Sequence, residues 1–398
     1  MKNQEITIEY LYSNGLAADR FARMLDDPTQ CYKFYWLDAV MTLYPIIGNE
    51  LEFDEIFDEM ICAAWYPVTK FQLRLGPKIN GEPANHLERA VHIIENDEDI
   101  TESANKQDIL SAIKRNGEKL KDCKTGLARN VPYRLLSSFM DEIGGDDRIW
   151  EQKRRLIQYI IELNENLCLP YTIIDGRGFH KKIHIDVEWR KFLSDNYSVI
   201  RSWIRLKKIQ FLQDRNPGVP GIIYKLEDSH EDGRKMEAAR KLWKDASAAS
   251  GKPIVDIYSG YILDKNSFAL DHFIPWTYVA NDELWNLTPI AHSLNSSKGN
   301  RLPDWNRFFK PLADNQFNLY KTAFSIPAVR NQFEKCRKHN LNTIWATEML
   351  YVENNTEERF KSILEQYMYP VYESAQLQGF KQWILPELTV YAGETGEK

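Results

Sequence analysis

The thirty-six residues from Phe268 to Pro303 constrain the fold of this chain more than any other stretch. They read FALDHFIPWTYVANDELWNLTPIAHSLNSSKGNRLP. Apolar Leu270 and Phe273 flank Asp271 and His272, which presents an acid and an imidazole at the end of an otherwise half-buried strand. Leu284 to Ile290 is a second β-prone run with Asn286 inside it. Asn295, Ser296 and Ser297 then offer helix-capping side chains ahead of Lys298. The expected order is strand, loop, strand and helix, with the polar residues converging.

Those residue types suit one chemistry. Hydrolysis of a phosphodiester needs a water made nucleophilic, a cation against the phosphoryl oxygens and stabilisation of the leaving oxygen. Asp271 and Asn295 offer two hard oxygen ligands, a set better matched to Mg²⁺ or Mn²⁺ than to Zn²⁺. His272, next to a ligand but on the other side of the strand, can take a proton from water near neutral pH.

The segment resembles the HNH, or ββα-metal, nuclease family, in the form found in RNA-guided CRISPR effector nucleases and in free-standing bacterial HNH proteins. The matched positions are Asp271 and His272, then Asn286 fourteen residues after His272 and Asn295 twenty-three after it, with Lys298, Ile274, Pro275 and Leu287 also in place. The resemblance implies that Asp271 and Asn295 bind the metal, that His272 activates water, and that Asn286 holds the loop between the strands. It also implies that Lys298 and Arg301 meet phosphate; for His292 two readings stay open, a phosphate contact, as in members with a second histidine near the helix start, and a strand-end histidine with a local hydrogen bond. Many free-standing relatives carry cysteine pairs that bind a structural zinc. The corresponding stretches here read DIYSGYIL and AHSLN, so no structural zinc is expected and the core falls to packing by Tyr258, Tyr261, Trp276 and Trp285.

The remainder reads as mostly helical. Tyr32 to Ile47, Leu51 to Tyr66, Ile109 to Leu120 and Ile149 to Leu167 space apolar residues by three and four, with Pro45 and Pro67 marking expected ends. Gly76 to Glu88 is an expected loop, and Pro170 to Asp186 a hairpin turning at Asp175 to Gly178. One long helix is expected from Val187 to Gln213, another from Gly233 to Ala249, and further helices through Phe309, Asn331 to His339 and Glu357 to Tyr372. The segment from Ile254 to Ile290 reads as β-rich, and the tail GETGEK as frayed. The stretches TQCYKFYWLDAV and RNVPYRLLSSF resemble ones that accompany this nuclease domain in bacterial proteins linked to restriction or phage defence.

Taken together, the expectation is a mainly α multidomain protein with an inserted small α+β ββα-metal nuclease domain. Its segments are a helical N-terminal domain (1–168), a hairpin with basic helices (169–252), the HNH domain (253–310) and a C-terminal helical region (311–398). With 43% hydrophobic residues and no charge-free stretch of membrane-spanning length, a cytoplasmic protein without membrane partners is the default. Five scattered cysteines with no CxxC pair read as reduced core thiols. The net charge is −6, yet Arg177 to Lys252 holds 17 Lys or Arg against 10 Asp or Glu. On that basis Arg205, Lys207 and Lys208 are candidate phosphate contacts, DNA is the expected partner, and defence proteins are possible further ones. Two other functions stay open: a regulated nucleic-acid or partner-binding protein using the nuclease fold as a platform, and an RNA-cleaving enzyme.

Overall fold

Helices dominate because apolar side chains recur at helical spacing along most of the chain. In the computed structural model, residues 15–79, 82–97, 99–101, 103–140, 147–174, 176–227 and 236–386 are described. Asp175 of the expected hairpin turn, residues 233–235 of the expected helix and the GETGEK tail lie outside them. The chain divides into two compact units, residues 1–217 with 225–227, and residues 218–224 with 228–398. Among the described residues no helix is long and apolar enough to cross a membrane.

The first unit contains α1 (Ala18–Ala22), α2 (Tyr32–Ile47), β1 (Glu50–Glu52), α3 (Phe53–Thr69), β2 (Lys78–Ile79), β3 (Glu82–Pro83), α4 (His86–Glu95), α5 (Lys106–Arg115) and α6 (Gly117–Arg134). It continues with α7 (Asp147–Glu151), α8 (Lys153–Leu167), β4 (Thr172–Ile174), β5 (Lys182–His184), α9 (Val187–Asp195) and α10 (Tyr197–Arg215). Helix α2 buries Phe34, Tyr35, Trp36, Leu37, Val40, Met41 and Tyr44, so it forms the centre of the unit and not a one-sided surface helix. Pro45 and Pro67 lie inside the last turns of α2 and α3, where each removes only one backbone bond. The β4–β5 hairpin is extended by β1, which pairs with β5 from Glu50 opposite His184 to Glu52 opposite Lys182. A sheet therefore crosses the boundary expected near residue 168.

Two expected helices are each divided by an asparagine. Asn116 separates α5 from α6 and donates from Nδ2 to Ala112 O at 3.0 Å. Asn196 separates α9 from α10 and donates to Phe192 O at 2.9 Å. In both cases a buried side chain satisfies the preceding turn's carbonyl, which stabilises the break.

The second unit holds α11 (Glu237–Ser250), β6 (Ala269–His272), α12 (Trp276–Val279), β7 (Leu287–Ile290), α13 (His292–Lys298), α14 (Trp305–Ser325), α15 (Pro327–Asn340) and α16 (Glu357–Gln378). The expected β-rich segment reduces to one antiparallel pair, β6 with β7, and two isolated bridges, Val255 with Ile262 and Asp264 with Ser267. Gln316 of α14 donates to Leu284 O and Leu287 O, and Leu302 N donates to Lys381 O. The C-terminal helices and the β6–β7–α13 element thus share one core.

Candidate active site

Strand β6 ends at His272, opposite Leu287, and Phe273 carries the pairing one position further by donating its N–H to Asn286 O. Asn286 lies in a single 3₁₀ turn just before β7 and not inside the strand. Its amide clamps the loop at both ends: Nδ2 donates to Ile274 O, and Oδ1 accepts from Ile274 N, each at 2.8 Å. Asn286 is fully buried, so both bonds act in a low-dielectric setting where their loss would be costly.

Helix α13 begins earlier than its capping residues predict. Its N-cap is Ala291, whose N–H is taken by the carboxylate of Asp256, Oδ2, at 2.9 Å. The other oxygen of Asp256 accepts from Tyr258 N at 2.8 Å and Ser259 N at 3.3 Å. One buried carboxylate therefore closes the loop of the DIYSGYIL stretch and ties it to the start of the helix. Asn295 consequently falls in the middle of α13, half-buried, one turn before Lys298 on the same side.

Asp271 is 4% exposed and both of its oxygens are engaged. Oδ2 accepts from the Tyr258 hydroxyl at 2.6 Å, and Oδ1 from Lys298 Nζ at 2.9 Å. Burial, reinforced by the Asp271 carboxylate, pushes the Tyr258 phenol far above its ordinary value, so it remains a donor. Lys298 is completely buried and donates also to His272 O at 2.8 Å. Its charge is turned inward onto the acid and the strand end, where the sequence pattern had set it against phosphate. Thr288, opposite Asp271 in the strand pair and so on the same face of the ribbon, has a buried hydroxyl with no hydrogen-bond partner among the described residues.

His272 Nε2 lies 2.9 Å from Asp282 Oδ1, with both side chains largely buried. Asp282 was not singled out by its sequence context. The spacing of an acid ten residues after a histidine carries no signal unless the intervening loop is known to fold back. His292 and Arg301 are exposed, Arg301 donating to Ser297 O. Of the expected packing residues, Tyr258 and Trp285 are buried, Trp276 is half-buried and Tyr261 is 52% exposed. Tyr258 packs edge-on against Phe308 and Trp383, whereas Trp285 meets Trp345.

In the first unit, the expected phosphate contacts of α10 are committed to acids. Lys207 Nζ lies 3.0 Å from Asp26, Lys208 Nζ lies 2.7 Å from Asp38, and Arg205 pairs with Glu227. Burial alone would raise the Asp38 carboxyl, but Lys208 and Arg201 hold it below its ordinary value. The basic stripe read from the sequence is therefore an internal ion-pair layer at Lys207 and Lys208 and a surface pair at Arg205.

Among the described residues, no group of three or more His, Cys, Asp or Glu side chains is placed to hold a metal ion. Around Asp271 the structure shows one carboxylate with the Tyr258 hydroxyl on it and the Thr288 hydroxyl opposite it in the strand pair. No curated protein and no solved structure matches the chain. A family model described as HNH endonuclease matches residues 255–304, which span Asp256, the β6–β7 pair and α13, and with them Asp271, His272, Asp282, Asn286, Asn295 and Lys298.

Proposed function

We propose that this chain is a metal-dependent HNH endonuclease that hydrolyses phosphodiester bonds of DNA. What supports the reading is that Asp271, His272 and Asn295 all belong to one β6–β7–α13 element inside the segment matched by the endonuclease model. The acid lies in the strand, the imidazole follows it directly, and Asn295 is on the helix whose Lys298 reaches Asp271.

The residues present fit a hard divalent cation. The buried Asp271 carboxylate already gathers a positive charge from Lys298, and the Asn295 amide and the orphan Thr288 hydroxyl are oxygens of the kind Mg²⁺ or Mn²⁺ accepts. Asp271 and Asn295 would hold the ion, which when bound offsets charge on the phosphoryl oxygens. His272 takes a proton from water as the water oxygen attacks phosphorus. The P–O3′ bond breaks, leaving a 5′-phosphate and an alkoxide that collects a proton. Arg301 and His292, both exposed at α13, contact the backbone phosphates, while Lys298, Lys207 and Lys208 are left out of that role because their charges are used internally. Asp256 provides the fastening that a structural zinc supplies elsewhere, so none is proposed. One such centre cuts one strand, so a double-strand break requires two chains or two successive nicks. A bacterial, cytoplasmic role in restriction or anti-phage defence fits the resemblance of the N-terminal stretches.

The test is conversion of supercoiled plasmid in Mg²⁺ or Mn²⁺. His272→Ala abolishes nicking with the fold intact by circular dichroism. Undiminished nicking by that variant removes His272 as the base. Single-stranded RNA run in parallel decides whether the substrate is DNA alone.

A further inference from the structure

The imidazole of a general base must present the correct nitrogen to water, and here the structure shows what selects it. Among the described residues the bond from His272 Nε2 to Asp282 Oδ1, 2.9 Å, is the ring's only hydrogen bond. A carboxylate accepts and cannot donate, so this bond calls for a proton on Nε2, and in the neutral tautomer that satisfies it the lone pair is on Nδ1. We propose that Asp282 is a positioning residue for His272, holding the tautomer and ring orientation in which Nδ1 receives the proton of the attacking water. The proposal rests on the endonuclease reading for its reaction, but the tautomer it specifies does not.

The loop that carries Asp282 is fixed from the C-terminal side of the unit. Asn340 at the end of α15 donates to Asp282 O at 2.8 Å. The neighbouring Glu283 is 2% exposed, and its carboxylate accepts from Asn342 N at 2.8 Å, Asn342 Nδ2 at 3.2 Å and Thr343 N at 3.2 Å. Ala280, at φ +55°, makes the left-handed turn that closes α12 and sends the chain into this loop. Five bonds to backbone or side-chain groups thus hold residues 282 and 283 to the segment 340–343 or to Trp285. In this arrangement the C-terminal helices serve the active site at one remove, by holding the acid that holds the base.

Asp282→Ala and Asp282→Asn separate this role from a merely structural one. Two-bond proton–nitrogen NMR correlations of the histidine rings, recorded on the metal-free full chain, report the tautomer directly. His272 is expected as the Nε2–H form in the natural protein and as a mixture in Asp282→Ala. In Asp282→Asn the amide can donate to Nε2 and stabilise the wrong tautomer, so this near-isosteric variant is expected to be the more damaged of the two. With plasmid substrate, kcat is expected to fall about tenfold to a hundredfold, with KM within about twofold of its natural value. A natural tautomer distribution in both variants overturns the proposal, even if kcat falls, and so does a kcat within twofold in both. If Asp282→Ala does not fold, Asp282→Asn alone decides. Should His272→Ala retain full nicking, the endonuclease reading of His272 fails, while the tautomer measurement still judges whether Asp282 sets the ring.

Discussion

Asp256 offers the most quantitative test of how the core around β6, β7 and α13 is held. Its carboxylate is fully buried and accepts three backbone N–H groups, those of Tyr258, Ser259 and Ala291, at 2.8, 3.3 and 2.9 Å. Asp256→Ala leaves all three donors without that acceptor, in a site that is buried at Tyr258 and half-buried at Ser259 and Ala291. A hydrogen bond to a charged group contributes about 1.5–3 kcal/mol, and the 3.3 Å bond contributes less than the other two. The three are not independent, so the expected loss is about 3–5 kcal/mol. For a unit of this size that is a fall of roughly 10 °C in melting temperature. Asp256→Asn keeps one acceptor oxygen for Tyr258 but turns an amide donor toward Ala291 N, so its loss should be smaller, about 1–3 kcal/mol. Urea denaturation of the full chain followed by circular dichroism, with calorimetry to isolate the transition of the second unit, measures both. The order Ala worse than Asn, with Asn worse than the natural residue, is the signature. Asp256→Ala within about 1 kcal/mol of the natural protein would refute the view that this acid fastens the loop and helix in place of a metal.

Two further perturbations address charge. Lys298→Met removes the ammonium from the buried Asp271 carboxylate, which then keeps only the Tyr258 hydroxyl, so stability in EDTA should drop by about 3–5 kcal/mol. Millimolar Mn²⁺ should restore part of that loss, and no recovery on adding the ion would count against Asp271 as a cation ligand. Burial pushes the Lys225 ammonium down to about 7, so from pH 7 upward the folded chain binds fewer protons there than the unfolded chain, whose lysine titrates near 10.4. The stability of the natural protein relative to Lys225→Met should therefore rise from pH 7 to about 8.5, and thiol ionisation, common to both chains, cancels in the difference. A pH-independent difference between the two in urea denaturation would contradict it.

What could be read from the chain depended on whether the deciding partner was local. The aromatic spacing of Tyr32 to Ile47 predicts α2 to both of its ends, because the periodicity is contained in the helix itself. The four polar positions of the nuclease motif are equally local, and the family match covers them. Asn116 and Asn196 are different. Asparagine is tolerated in helices, and only burial with the side chain folded onto the previous turn makes each a break. Asp256 and Asp282 likewise become informative only when the partner 35 residues on, Ala291, and the loop back to His272 are known.

The same distinction accounts for the basic segment. Its surplus of positive charge was counted along the chain, where Arg177 to Lys252 stands apart from an acidic remainder. In the fold the two are brought together: Asp38 takes both Arg201 at 2.6 Å and Lys208 at 2.7 Å, and Asp26 takes Lys207. Both acids come from the acidic remainder and lie more than 150 residues away in sequence, so no window along α10 could reveal them. Ammonium groups that are nine-tenths buried against carboxylates release no counterions to a nucleic acid, and the electrostatic argument for DNA contact along this helix loses those charges. Arg301 and His292, exposed at α13, are then the side chains on which the proposed phosphate contacts rest.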